Sequence, residues 1–266
     1  MAEVQKVPYV TVPGGLPGED PREKFRYLNM LVHAPGGRGK TSLAATACRD
    51  PRTSPVLVLD MEGGAPLRFV NEDPSKYTIR KVRSIEDINQ IYEYLAAGKH
   101  PYKTVVLDSL TEIQKLGLYE FVYGRQPDKS FKGNIIEVKT AEIQHWGKSG
   151  SQMGMMCRYF RDLPMHVIFT TLTQRLKDET TGKITITVAL PGKQADEIPG
   201  IPDIVGYIDV VRIGQEDVRV LKVQPDGKIE AKDRTDALGE GILLRKGENH
   251  ISKMLDLIWE HHGITE

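Results

Sequence analysis

The stretch Ala34-Pro-Gly-Gly-Arg-Gly-Lys40-Thr41-Ser42 follows directly on the apolar run Tyr27-Leu-Asn-Met-Leu-Val-His33. An apolar strand, a glycine-rich loop, a lysine and a hydroxyl, in that order, make a phosphate trap. Small residues let the backbone from Ala34 through Pro35, Gly36, Gly37, Arg38 and Gly39 curl until its N–H groups converge on one anion. Lys40 adds a point charge and Thr41 offers a hydroxyl to Mg²⁺. A helix over Lys40–Cys48 aims its N-terminal dipole at the phosphates, with Ser42 in its first turn. The spacing is that of Gly-x-x-x-x-Gly-Lys-Thr with Ala34 at the first position. A nucleoside triphosphate site at a strand-to-helix turn is the reading, and it calls for an α/β fold.

The sequence on either side agrees. Pro55–Asp60, Tyr77–Val82, Lys103–Asp108 and Met165–Thr171 are short Val/Leu/Ile-rich strands. Helices over Ser84–Ala97, Ser109–Tyr123 and Gln152–Leu163 separate them, the first with Ser84 and Asp87 as an N-cap signature. Unbroken apolar strands alternating with helices predict a mainly parallel twisted sheet covered on both faces. Past Lys183 the pattern becomes a β extension, with strands over Lys183–Leu190, Tyr207–Ile213 and Val218–Val223, and Ile251–His262 closes as a helix. Residues 1–25, with four prolines, read as an arm, and 26–266 as one domain. His261 and His262 read as a solvated tail.

Composition narrows the classes. The 36 basic and 36 acidic residues give zero formal net charge, so any nucleic-acid site must be a local patch. No window approaches the ~18 apolar residues of a membrane helix. The N-terminal residues lack the order of a secretory signal. Cys48 and Cys157 match no metal spacing and read as reduced core thiols of a cytoplasmic protein.

Further chemistry lines up at the ends of the predicted strands, where ligands sit in open α/β sheets. Asp108 closes a buried strand and can hold Mg²⁺ beside Thr41. Glu62, in Asp60-Met-Glu-Gly-Gly64, can orient and deprotonate a water near a γ-phosphate. The strand end Thr170-Thr-Leu-Thr-Gln174 offers polar groups to the same phosphate. Lys193 sits on a predicted turn. Lys232 and Arg234, at i and i+2 of an extended segment, project to one side, as either a solvated basic turn or a cationic pair for a neighbour's γ-phosphate.

Taken in order, His33-Ala-Pro-Gly-Gly-Arg-Gly-Lys-Thr-Ser42, Leu59-Asp-Met-Glu-Gly-Gly64, Val105-Val-Leu-Asp-Ser-Leu110, Val167-Ile-Phe-Thr-Thr171, Ala189-Leu-Pro-Gly-Lys193 and Gln224-Pro-Asp-Gly227 with Ala231-Lys-Asp-Arg234 resemble the phage-encoded RecA-like ATPases. These are small relatives of RecA that act in single-strand annealing or recombination. The resemblance covers roughly residues 27–236. It implies a RecA-like core that binds ATP and Mg²⁺ at the subunit interfaces of a homo-oligomeric ring or filament, in the host cytoplasm. Lys40, Thr41 and Asp108 resemble the Walker A lysine, the metal ligand and the Walker B aspartate. Glu62 takes the place of the catalytic glutamate, Lys232 and Arg234 that of the Lys-x-Arg finger, and Thr171 or Gln174 that of the sensor. Single-stranded DNA is the implied partner, bound through two loops, Gly124–Gly150 and Leu172–Lys183. Arg125, Lys129, Lys132, Lys148, Arg175 and Lys193 are the candidate contacts, with Phe131 and Trp146 for base stacking. Two other functions use the same phosphate loop: a nucleotide-gated adaptor or loader with little turnover, and a small-molecule kinase.

Overall fold

The protein is described here by a computed structural model that covers residues 20–123 and 141–265. Strand β1 (Asn29–His33) runs into the glycine-rich loop, and α1 (Lys40–Ala45) opens on its far side. Gly39, at the N-cap of α1, has φ of +102°, a backbone conformation that side-chain-bearing residues rarely adopt. The chain continues through β2 (Val56–Asp60), the single turn α2 (Pro66–Phe69), β3 (Tyr77–Lys81), α3 (Ile85–Ala96), β4 (Thr104–Asp108) and α4 (Leu110–Tyr123). Then come α5 (Ile143–Arg161), β5 (His166–Thr171), the hairpin of β6 (Thr173–Lys177) and β7 (Ile184–Val188), and the turn α6 (Gln194–Glu197). The last elements are β8 (Ile204–Ile213), β9 (Glu216–Lys222), β10 (Lys232–Asp233), β11 (Gly241–Leu244) and α7 (His250–His262).

Nine strands form the main sheet in the order β11-β9-β8-β1-β5-β4-β2-β3, with β10 beside β8. From β8 to β3 all neighbours are parallel, whereas β9, β10 and β11 run antiparallel and form the expected β extension. The fold is therefore the α/β core that the strand pattern predicts. In register, His33 lies opposite Thr171 and Asp60 opposite Asp108, so the carboxyl ends of β1, β5, β4 and β2 share one edge.

Strict alternation along these strands divides the core. Met30, Val32, Val58, Val106 and Ile168 pack against α1 and α7. Leu31, Leu57, Leu59, Val105, Leu107, Val167 and Phe169 pack against α3, α4 and α5. Each such side chain, removed from water, contributes roughly 1.5–3 kcal/mol. Helix α3 starts at Ser84 with the capping box read from the sequence, the Ser84 hydroxyl accepting from the Asp87 N–H. Both cysteines are buried and free, and burial pushes each thiol up to about 12.

Three local expectations are corrected. Helix α5 begins at Ile143, not Gln152, so residues 143–150 of the expected Gly124–Gly150 loop are helical. The glycines there are poor helix formers, but they permit close packing: a Cβ on Gly150 would lie 2.7 Å from the Gln194 amide nitrogen. The expected loop Leu172–Lys183 is largely hairpin. The Asp178 carboxylate accepts from the Thr180 and Thr181 N–H groups and closes its turn. His262 is not a solvated tail; it stacks on Phe25 at 3.9 Å, and its Nε2 bonds the Thr235 carbonyl. That contact also docks the end of the expected arm, where Pro21–Arg26 form a 3₁₀ turn capped by Asp20.

The β extension is sensitive at Gly241, whose φ is +145°. A Cβ there would lie 2.2 Å from the Leu221 carbonyl oxygen. Gly241→Ala should destabilise the protein by about 2–4 kcal/mol, since backbone strain and overpacking combine. Urea unfolding measures this, and an unchanged midpoint would contradict the packing described.

Candidate nucleotide-binding site

Around the glycine-rich loop, the side chains that matter arrive from four elements. The Asp108 carboxylate is buried at the end of β4 and accepts hydrogen bonds from Thr41 Oγ1 at 2.8 Å and from Thr170 Oγ1. Burial raises its proton affinity, and the hydroxyls of Thr170 and Thr41 oppose that rise. Lys40 donates from Nζ to the carbonyls of Ala34, at 3.0 Å, and Pro35, at 3.4 Å. Burial lowers its pKa, while the carboxylates of Glu62 and Asp108 favour its charge. The loop is also tied to β5, because the Ala34 N–H donates to the Thr171 carbonyl at 3.3 Å.

Glu62 lies in the turn after β2, exposed to solvent. Asp60 shapes that turn by accepting from the Gly63 N–H at 2.8 Å, and the Met61 N–H donates to the Asp108 carbonyl at 2.9 Å. Ser109, the residue after Asp108, donates its hydroxyl to Glu62 Oε1 at 2.5 Å. Two adjacent parallel strands thus set the glutamate beside the aspartate.

The residues present fit a triphosphate. Among the described residues, no acceptor takes a hydrogen bond from the N–H groups of Gly36, Gly37, Arg38 or Gly39. The Lys40 ammonium likewise bonds only carbonyls. Amide and ammonium donors left over in this way suit an anion. Among the described residues no cluster of three or more His, Cys, Asp or Glu could hold a metal ion. A Mg²⁺ site needs no such cage, since that ion keeps waters and substrate phosphates as ligands. No helix of the described residues is long and apolar enough to cross a membrane.

The two residues expected at the sensor position have different partners. Thr171 turns to the α4 face, where its hydroxyl meets Thr111 Oγ1 at 2.8 Å, and Gln174 donates to the Leu190 carbonyl at 2.8 Å. Thr170, on the alternate face, is the one that reaches Asp108. Lys232 and Arg234 do point the same way, donating to the carbonyls of Pro199 and Gly200 at 2.7 and 3.1 Å. They do not join the loop of their own chain. Arg234 N–H bonds the Asp203 carbonyl, and Asp203 N–H bonds Asn29 at the start of β1. Arg234 is therefore about 13 Å along the strand direction from His33, at ~3.3 Å per residue.

Lys148, Arg175 and Lys193 are exposed on α5, β6 and the turn before α6. Arg125, Lys129, Lys132 and Phe131 lie outside the described residues. Two groups near the loop escaped the sequence reading. Ser109 was marked only by its place beside Asp108. Arg219 on β9 carried no local signal, yet its Cδ lies 3.5 Å from where a Cβ on Gly39 would be.

Thr170→Val keeps the shape of the residue and removes one of the two hydroxyls on a buried carboxylate. It should cost about 1.5–3 kcal/mol at neutral pH, measured by urea unfolding. A loss below about 0.5 kcal/mol would mean that Asp108 does not depend on this bond.

A sequence profile of the AAA domain family matches residues 26–235, which include the phosphate loop, Glu62, Asp108 and the Lys232–Arg234 segment. Among solved structures, the chain is similar to a KaiC-like protein from the hyperthermophilic archaeon Pyrococcus horikoshii. The identity is 16% and the TM-score 0.43, over 81% of this chain and 88% of that one. No curated protein matches the chain. With the profile covering most of its length, the chain belongs to the AAA domain family and is an ATP-binding, ATP-hydrolysing P-loop protein.

Proposed function

We propose that the protein is a Mg²⁺-dependent ATPase that works as a homo-oligomer, each site being completed by Lys232 and Arg234 of the next copy. The observation that carries this reading is the division of the cations. Lys40 lies with Glu62, Thr41 and Asp108 at one edge of the sheet, while Lys232, level with Leu31, and Arg234, level with Asn29, sit two strands from β1. Both donate to the carbonyls of Pro199 and Gly200 and neither bonds the loop of its own chain.

In this reading Lys40 and the free amides of residues 36–39 hold the β- and γ-phosphates. Thr41 and Asp108 would hold Mg²⁺, which supplies neutralisation of phosphate charge when bound. Glu62, its Oε1 held by Ser109, orients a water and takes its proton. The water oxygen bonds to the γ-phosphorus as the bond to the ADP oxygen breaks, and ADP and phosphate leave. Thr170, through Asp108, links the state of the phosphates to β5 and the hairpin that follows it.

An isolated copy then has little turnover, which suits a nucleotide-gated adaptor or loader. A role in recombination or annealing on single-stranded DNA is the more specific reading. Arg175, Lys177 and Lys183, exposed on the hairpin directly after β5, favour it. If it holds, single strands stimulate hydrolysis, and the stimulation declines with salt. Unstimulated, assembly-dependent turnover favours the adaptor, and phosphoryl transfer to a nucleoside monophosphate favours a kinase.

Glu62→Gln should bind ATP with unchanged affinity and hydrolyse it about 10²–10⁴-fold more slowly, the usual worth of a general base. Mixed with Arg234→Ala, it should recover activity that neither variant has alone. No recovery under conditions where the two co-assemble would rule out a shared site.

Lys232 adds a pH dependence. Burial lowers its pKa to about 8, with Arg234 and Lys24 acting in the same direction and Asp203 and Glu230 against it. The ammonium is charged below that pH and is lost as pH rises through it. Wild-type kcat/KM, which reports the free enzyme, should therefore fall above pH 8. Lys232→Arg should hold its activity there, since a guanidinium does not titrate in this range. Parallel profiles for the two proteins would remove Lys232 from the reaction.

A further inference from the structure

We propose that His33 is a positioning residue for ATP hydrolysis: its ring fixes residues 228–234, and with them Lys232 and Arg234, to the strand that carries the phosphate loop. This rests on the reading of the Lys–Arg pair given above.

His33 is the last residue of β1, one before Ala34, and is fully buried. Its Nε2 lies 2.7 Å from the Glu230 carbonyl oxygen. A carbonyl only accepts, so Nε2 carries the hydrogen and Nδ1 the lone pair. Nδ1 is buried and has no hydrogen-bond partner among the described residues. Burial, with a small contribution from Lys40, lowers the ring's pKa to about 4 against the opposing pull of the Glu230 carbonyl. The imidazole is therefore neutral, and its single donor is committed to Glu230.

Glu230 belongs to a segment gripped from two sides. On one side the Ile186 N–H donates to the Lys228 carbonyl at 2.7 Å, and the Glu230 N–H donates to the Ile186 carbonyl at 2.9 Å. The Thr187 hydroxyl also bonds the Glu230 carboxylate. On the other side stands His33, with the Tyr207 ring against it at 5.3 Å. Two and four residues further on come Lys232 and Arg234, anchored on Pro199 and Gly200. One short segment therefore joins the phosphate-loop strand, the β6–β7 hairpin and the cationic pair. Packing alone would be served by an apolar residue at 33, as at Leu31 on the same face. A buried imidazole with one nitrogen unpaired is costly, and what it adds is a hydrogen bond to this segment.

The test uses the assembled full-length protein with ATP and Mg²⁺. His33→Leu should lower kcat roughly ten- to a hundredfold, the scale of a small misplacement at a distance, with the KM for ATP little changed. It should also speed amide hydrogen exchange across residues 229–234. His33→Gln, which returns an N–H donor at similar reach, should recover much of the loss, and the shorter His33→Asn should not. In a background carrying both Lys232→Ala and Arg234→Ala, His33→Leu should have no further effect on the residual kcat. A wild-type kcat in His33→Leu, or the same fall with and without the Lys232–Arg234 pair, overturns the proposal. So does a rise in KM at constant kcat, which would place the damage in the phosphate loop alone. If His33→Leu does not fold, the contrast between Gln and Asn decides the matter, and equal activities count against it. Full activity of Lys232→Ala would instead sink the shared-site reading and this proposal with it. A strongly slowed Lys232→Ala, Arg234→Ala variant whose residual kcat falls further by the same factor on His33→Leu sinks only this one.

Discussion

Three segments distant in sequence meet on the carboxylate of Asp108. Thr41 reaches it from α1 and Thr170 from β5, while the carboxylate itself closes β4. Placing a carboxylate in the interior is costly unless donors compensate it, and here two hydroxyls do. The consequence spreads outward. Thr41 follows Lys40, so the bond that holds Thr41 also holds the lysine at the loop. Ala34, at the start of the same loop, is tied to the Thr171 carbonyl. Both ends of the phosphate loop are thus fastened to elements that converge on β5.

Sheet order makes this possible. Because β5 lies between β1 and β4, its two terminal threonines face different partners: Thr170 turns to Asp108 and Thr171 to Thr111 on α4. The strands beyond β1 on the other side carry further cations. There the antiparallel strands β9, β10 and β11 carry Arg219 toward Gly39 and turn Lys232 and Arg234 away from it. A protein built this way gathers a phosphate loop, an aspartate, a glutamate and Arg219 at one edge and holds Lys232 and Arg234 on the carbonyls of Pro199 and Gly200. In the proposed assembly, His33 is the hydrogen bond that keeps the loop and that pair in register.

Much of this was legible in the residues. Parallel, doubly covered strands follow from unbroken Val/Leu/Ile runs, and the start of α3 follows from Ser84 and Asp87. Lys40, Thr41, Asp108 and Glu62 were each marked by position at the end of a strand or in its loop. What could not be read came from packing. The first turns of α5 contain Gly147 and Gly150, which argue against helix locally, yet the small surface of Gly150 lets Gln194 close on it. The strand β6 looked like loop because its alternation is mostly polar. It becomes a strand only with β7 to pair it and Asp178 to turn it.

The sequence by itself determined that a triphosphate is held after β1 and that acidic groups stand at the ends of β2 and β4. Strand period and loop spacing act over a few residues, so these properties are local. Only the tertiary structure decided that Thr170 rather than Thr171 serves Asp108, that His33 bonds Glu230, and that Lys232 and Arg234 bond the carbonyls of Pro199 and Gly200 rather than their own loop. Those outcomes depend on which strands are neighbours and in what register, and a one-residue step along a strand moves a side chain to the opposite face.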